Sequence, residues 1–261
     1  MIEAIRRCGI LPFFKGAVPG WSVEEMTAEG CWFTDSEEFG GTLGPWDWKI
    51  DCVREGDIAY GKFLGGKAGF ATVEYYRHLM NWRRSLPKYS AALGRQEQSA
   101  IAKDTLGQQK HGAVKNDILA IAPVALEAIR EAGALEGHEI RRACESALPQ
   151  ITLKKSLMDS VLQYLQMGTW TVIGDFRRVY RGADLSYNGW QRAANTTPEA
   201  LFGSDADDGA AMPAWAAQFL RNERHAVQEP DCSPLQSREF LITHILNTVP
   251  GAERRKIENL I

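Results

Sequence analysis

The side chains with the greatest capacity for chemistry here are aromatic rings set among lysines and carboxylates. Gly44-Pro-Trp-Asp-Trp-Lys49 is the densest aromatic cluster, and Tyr60 and Lys62 follow shortly after it. Trp46, Trp48, Tyr60 and Lys62 have the types a base-binding pocket needs: aromatic faces stack on an extruded base, and a lysine or carboxylate beside them serves the sugar or the phosphate. The neighbouring carboxylates are Asp47, Asp51, Glu55 and Glu74, and spacing selects none of them. The structural alternative makes Trp46 and Trp48 core aromatics pinned by Pro45, with Lys49 and Lys62 solvated at strand edges.

A second group of polar residues lies further along. Between 151 and 202 the basic residues Lys154, Lys155, Arg177, Arg178, Arg181 and Arg192 outnumber four acidic ones, a local excess of +2 in a chain of net charge -3. No overall basic field draws such a molecule to nucleic acid, so any contact with double-stranded DNA must come from this patch. Lysine and arginine there would hold phosphates without reading sequence, while Gln163 and Asp159 would face a groove. The competing assignment is an ordinary exposed helix face that contacts protein.

Other chemistries find no anchor. The histidines, His78, His111, His138, His225 and His244, form no HExxH-like pair, so no metal site is expected. Gly61-Lys-Phe-Leu-Gly-Gly66 lacks the Gly-Lys-Ser/Thr of a phosphate loop, and no GxGxxG opens a βαβ unit, so no cofactor is expected. No GxSxG occurs, and Cys144 falls on a buried helix face. Five widely spaced cysteines without a CxxC pair read as reduced thiols in a cytoplasmic protein. The first residues carry Glu3, Arg6 and Arg7 where a signal peptide needs an unbroken apolar run, and no membrane span is expected. Oligomeric state is not legible.

The elements that must position these residues follow from periodicity. Val124 to Ala132 reads as a helix stopped by Gly133, and Gly137 to Ser146 as a second before Pro149. Thr152 is the expected N-cap of a third, with Leu153, Leu157, Val161, Leu162 and Leu165 at helical intervals. Thr169 to Phe176 turns extended, Gly182, Asp184 and Asn188 form turns, and Gly189 to Ala193 returns as a partner strand. Three helices, a strand, a basic loop and a strand are the order of a winged helix-turn-helix. Earlier, Ile2 to Cys8 predicts a helix stopped by Gly9. Ile50 to Phe63 reads as strand, Gly65-Gly66 as a turn into the strand Lys67 to Thr72, and Glu74 to Arg84 as a helix closed by Arg83 and Arg84 for the dipole. Ser85 to Asn116 reads as a polar linker. After the acidic loop 204–208, Ala214 to Arg224, Pro234 to Asn247 and Pro250 to Ile261 read as helices.

Two separated stretches carry a family resemblance. Gly44-Pro-Trp-Asp-Trp-Lys49, Ala59-Tyr-Gly-Lys-Phe63 and Lys67-Ala-Gly-Phe70 form the first; Leu165-Gln-Met167, Val172-Ile-Gly-Asp-Phe176, Gly189-Trp190 and Thr197-Pro-Glu199 form the second. Both resemble the bacterial proteins related to AlkZ, a winged-helix DNA glycosylase. The parent family is built from tandem winged helices and removes alkylated or crosslinked purines without a metal, so the resemblance implies DNA binding and DNA repair. Its Gln-x-Asp or Gln-x-Gln pair has one close spelling here, Gln96-Glu97-Gln98, in the polar linker rather than in an early winged helix. No catalytic residue is carried over, and enzymatic activity stays open.

The expected architecture is mainly α with small β-hairpins, an α+β chain with a central winged helix-turn-helix. Its expected parts are an N-terminal α+β region over 1–116, the winged helix over 117–203 and a helical region over 204–261. The expected function is an AlkZ-like DNA-binding protein, with glycosylase action on alkylated or crosslinked bases as its catalytic form. The alternative is a non-catalytic winged-helix regulatory or interaction module with a small-ligand pocket.

Overall fold

The computed structural model describes residues 1–32, 44–90, 116–177, 180–181, 186–187, 191–203 and 230–261. It is an α+β fold with two small antiparallel sheets of three strands each. In the first sheet, β1 (Ile10–Pro12), β2 (Ile58–Leu64) and β3 (Lys67–Thr72) lie in the order β1-β3-β2. Phe70 is the Cα partner of both Leu11 and Tyr60. α1 (Ile2–Cys8) precedes this sheet and stops at Gly9, whose φ of 68° side chains rarely tolerate. α2 (Val23–Met26) is capped by Ser22.

α3 (Pro45–Arg54) corrects the sequence reading most. Ile50, Cys52 and Val53 read as strand, but Pro45 at the first helical position, with Gly44 as N-cap, starts a helix that runs through them. Their spacing buries them on the helix face turned toward the sheets. The strand begins only at Ile58. The hairpin β2–β3 closes through Gly65-Gly66, both at positive φ, as a two-residue turn requires.

α4 (Val73–Ser85) follows directly, then α5 (Pro87–Ser90) within the stretch read as linker. Arg83 and Arg84, expected as dipole charges at the helix end, are buried instead. Arg83 donates to the carbonyls of Phe63, Met167 and Leu260 and to Tyr89 Oη, and desolvation lowers its pKa. Arg84 donates to Glu199 and to the Thr169 carbonyl and lies over the Trp170 ring. Each cation thus joins segments far apart in sequence.

The second sheet is framed by helices. α6 (Asn116–Ala132), which contains Pro123, begins well before the predicted Val124. β4 (Ala134–Glu136) and α7 (Gly137–Ala147) follow, the helix opened by a capping box between Glu136 and Glu139. α8 (Lys155–Met167) has Lys154 as N-cap without a side-chain cap bond; the hydroxyl predicted to cap it, Thr152, lies two residues too early. β5 (Val172–Arg177) and β8 (Arg192–Thr196) pair antiparallel, with a bulge at Gly174, where a Cβ would meet Thr196 Cγ2 at 2.6 Å. The sheet order is β4-β8-β5. β6 (Tyr180–Arg181) and β7 (Ser186–Tyr187) pair between them. α9 (Pro198–Phe202), capped by Thr197, ends at Gly203. α10 (Pro234–Thr248) packs on α4, and α11 (Arg254–Glu258) follows.

One cluster of buried apolar residues runs from Ile5 through Phe63, Leu79, Ile129, Leu165 and Ile245 to Ile261, so both sheets share a core. Truncating one of its fully buried large side chains costs about 2–5 kcal/mol. The polar linker residues Gln96, Glu97 and Gln98, the acidic loop, and the helix read over Ala214 to Arg224 lie outside the described residues. No helix among the described residues is long and apolar enough to cross a membrane.

Candidate functional site between the two sheets

The tip of the first hairpin docks on α8. The backbone N–H of Lys62 donates to Gln166 Oε1 at 2.7 Å, and that of Gly66 donates to Met167 Sδ at 2.9 Å. A side chain at Gly66 would run into Gln163 Nε2. The helix face expected to meet a DNA groove is therefore partly covered by this chain's own hairpin.

Docking leaves a cavity of about 330 Å³ between α3, β2, α8, β5 and β8. Trp46, Tyr60 and Phe176 give it aromatic walls; Gln163, Gln166, Gln191 and Asn195 give it amides; Asp47, Asp159, Lys49 and Lys62 give it charge. The amide orientations follow from one another. Because a backbone N–H must meet an oxygen, Gln166 presents Oε1 to Lys62 and hence Nε2 to Asn195 Oδ1, at 2.9 Å. Asn195 is left with an NH₂ group that has no partner among the described residues. Gln191 Oε1 is buried with no hydrogen-bond partner among them either. The lining thus offers a donor and an acceptor, and the acceptor, the buried Gln191 Oε1, is a kind of group that native proteins seldom leave unpaired.

Three of the four aromatic and basic residues singled out in the sequence, Trp46, Tyr60 and Lys62, line this cavity. Trp48 does not: it sits on the outer side of α3, 39% exposed. Trp46 is half-buried, with its ring 6.1 Å from that of Phe13. Tyr60 is buried between Phe70 and Phe176, and desolvation raises its pKa.

Lys49, expected to be solvated at a strand edge, is 5% exposed on a helix. Helical side chains lean toward the N-terminus, so its stem runs back over the preceding turn. Its Nζ donates to the Trp46 carbonyl and lies 3.6 Å from the Trp46 ring centroid and 5.1 Å from that of Phe176. Burial pushes this amine down to about 8, partly opposed by the Asp47 carboxylate. Reading Pro45 as a helix start would have placed Lys49 one turn from Trp46 on the same face. Gln166, Gln191 and Asn195 carry no comparable local signal.

The basic residues fall into two groups. Lys154 and Lys155 are exposed at the start of α8. Arg177 instead reaches Glu139 at 3.3 Å and donates to the Ala134 carbonyl, while Arg192 reaches Glu136 at 3.4 Å. The structure describes only the backbone of Arg181, in β6, and Arg178 lies outside the described residues.

Fold and cavity together define an α+β protein with a small cavity, lined by aromatic rings and amides, between two three-stranded sheets. The chain belongs to the AlkZ-related family, whose model, described as AlkZ related, matches residues 1–261. Comparison with curated proteins and with solved structures gives no match.

Proposed function

We propose that this protein binds DNA and accepts an extruded nucleobase in the cavity between the hairpin β2–β3 and α8, as a glycosylase-like member of its family. The observation that carries this reading is the buried Gln191 Oε1, without a partner among the described residues, together with the Asn195 amide in the same lining, beside the rings of Trp46, Tyr60 and Phe176. A base has two faces for stacking and an edge with both donors and acceptors, so it matches this lining. Asp47 and Asp159, also in the lining, have the charge needed to favour a cationic sugar and to position a water against it, and neither step needs a metal.

The proposed carrier of the DNA is a winged helix-turn-helix over residues 116–203. The order helix, strand, helix, helix, strand, strand, with β8 between β4 and β5 in the sheet, supports it. Since the hairpin covers the inner face of α8, phosphate contact falls to its exposed start at Lys154 and Lys155.

The test is incubation of the full chain with duplexes carrying an alkylated or a crosslinked base, with chromatography of the released base. Release by the wild type, reduced in an Asn195→Leu variant that still folds, is the expected result. Binding without release identifies a base-sensing protein rather than a glycosylase.

The engagement of Arg177 and Arg192 with Glu139 and Glu136 favours a second reading, a small-ligand module that does not hold DNA. Absence of duplex binding at low salt would select it.

A further inference from the structure

Stacking, amide recognition and a carboxylate-positioned water give Lys49 no task, yet it lines the cavity, with its amine beside the Trp46 and Phe176 rings that also line it. A buried ammonium costs several kcal/mol unless a carboxylate pairs with it. Among the described residues no carboxylate forms an ion pair with Lys49; it has one carbonyl and two ring faces. The other titratable groups lining the cavity are Asp47 on its own helix, Tyr60 and Lys62 on β2 and Asp159 on α8, while β5 and β8 contribute none. This enclosure favours the neutral amine, and neutral amines are nucleophiles. Held at about 8, Lys49 has a neutral fraction at pH 7 roughly two orders of magnitude above that of a solvated lysine. Lys62, exposed on β2, has no such environment.

We propose that Lys49 is a nucleophile that forms an imine with the C1′ aldehyde of an abasic deoxyribose in DNA. The proposal rests on the nucleobase reading of the cavity, because excision or loss of a base leaves this sugar at the place where the base was held. In the first step the Nζ lone pair forms a bond to C1′, and the carbonyl π pair moves to oxygen, which takes up a proton as nitrogen gives one up. In the second step the C1′–O bond breaks, water departs with the remaining amine proton, and a C=N bond is left. No oxidant, reductant or metal is consumed. Lys49 can keep one N–H on the Trp46 carbonyl during the attack, which holds the nitrogen between the Trp46 and Phe176 rings.

Borohydride trapping tests this with the full chain. An oligonucleotide duplex containing one abasic site, and separately free 2-deoxyribose 5-phosphate, are incubated with protein and sodium cyanoborohydride, and adducts are mapped by peptide mass spectrometry. The expected result is a DNA–protein adduct on Lys49, absent from Lys49→Met and from Lys49→Arg, with wild-type yield rising as pH passes through about 8. Denaturant unfolding of both variants shows that they remain folded. An adduct on another lysine, or one that persists in Lys49→Met, overturns the proposal. So does the lack of any adduct. Trapping of free sugar phosphate without trapping of DNA overturns the DNA substrate and identifies a site for small aldehydes. Because the abasic duplex bypasses base release, a failed glycosylase assay and a failed trap are separate outcomes.

Discussion

Gln166 Nε2 and Asn195 Oδ1 lie 2.9 Å apart, joining the last turn of α8 to the central strand of the second sheet. The same glutamine accepts from the Lys62 backbone on the first hairpin, so one buried side chain fixes the orientation of a second and docks a third element. The cavity between the sheets owes its shape to that relay.

Replacing Gln166 with leucine keeps the volume but leaves the Lys62 N–H and the Asn195 amide without partners. Each unsatisfied buried group costs about 1–3 kcal/mol. Denaturant unfolding of Gln166→Leu is expected to show a loss within roughly 2–6 kcal/mol, well above that of the exposed Gln163→Leu. Equal small losses in the two variants would mean that the relay contributes little.

Lys49 makes stability depend on alkaline pH. Its folded pKa of about 8 lies below the ordinary 10.5, so between those values the unfolded chain binds the extra proton and stability rises with pH. Below about 8 the ammonium is present in both states and its burial cost is paid in full, about 3 kcal/mol from the shift. Lys49→Met is therefore expected to be more stable than wild type at pH 7, with the gap narrowing toward pH 10.5. The buried thiols of Cys52 and Cys144, raised by desolvation, act with the opposite sign above about pH 9, so the comparison is with the variant. A gap between Lys49→Met and wild type that stays constant from pH 7.5 to 10.5 would contradict this assignment.

Arg84 is nearly inaccessible while its partner Glu199 is 42% exposed. Exposed ion pairs contribute about 0–1 kcal/mol, but removing one partner of a buried charge costs about 3–5 kcal/mol. Glu199→Ala is expected to fall between these limits, because the Thr169 carbonyl and the Trp170 ring still hold the guanidinium. Thermal unfolding in low and high salt reads this out: a loss that vanishes in high salt would assign the pair to the surface class.

DNA contact, on the proposed function, is carried by Lys154 and Lys155 rather than by the glutamate-paired arginines. Log affinity should fall with log salt at a slope of roughly -0.9 per phosphate contacted. Replacing both lysines with alanine is expected to flatten it by nearly two contacts, while Arg177→Ala or Arg192→Ala leaves it nearly unchanged. The reverse pattern would move the interface to β5 and β8.

The tryptophans of α3 separate packing from binding. Trp48→Ala removes an exposed ring and is expected to change stability little. Trp46→Ala, facing the cavity, is expected to lower affinity for an extruded base by roughly 1–3 kcal/mol of stacking. Titration of both variants with a duplex carrying a flipped or damaged base decides; equal affinities would remove Trp46 from the binding wall.

What the sequence by itself determined was local. Glycine stops, turn pairs and the two residue periods act over a few positions, so α1, the hairpin through Gly65-Gly66, α7 and the body of α8 lie where they were expected. The family resemblance likewise rests on short runs of adjacent residues, and the chain's membership confirms it. Where two local signals competed, the sequence misled: aromatic and β-branched residues around Ile50 argued for a strand, and Pro45 at a helix start prevailed. Only the tertiary structure decided which polar groups matter. Lys62 and Gln166 are 104 positions apart, Arg84 and Glu199 are 115 apart, and no period links either pair. Burial is set by every segment that packs around a side chain, so a lysine that reads as solvent-facing beside Trp46 becomes an enclosed amine once Phe176 closes over it. Charge obeys the same rule: Arg177 and Arg192 count as basic in the sequence, and folding places Glu139 and Glu136 against them.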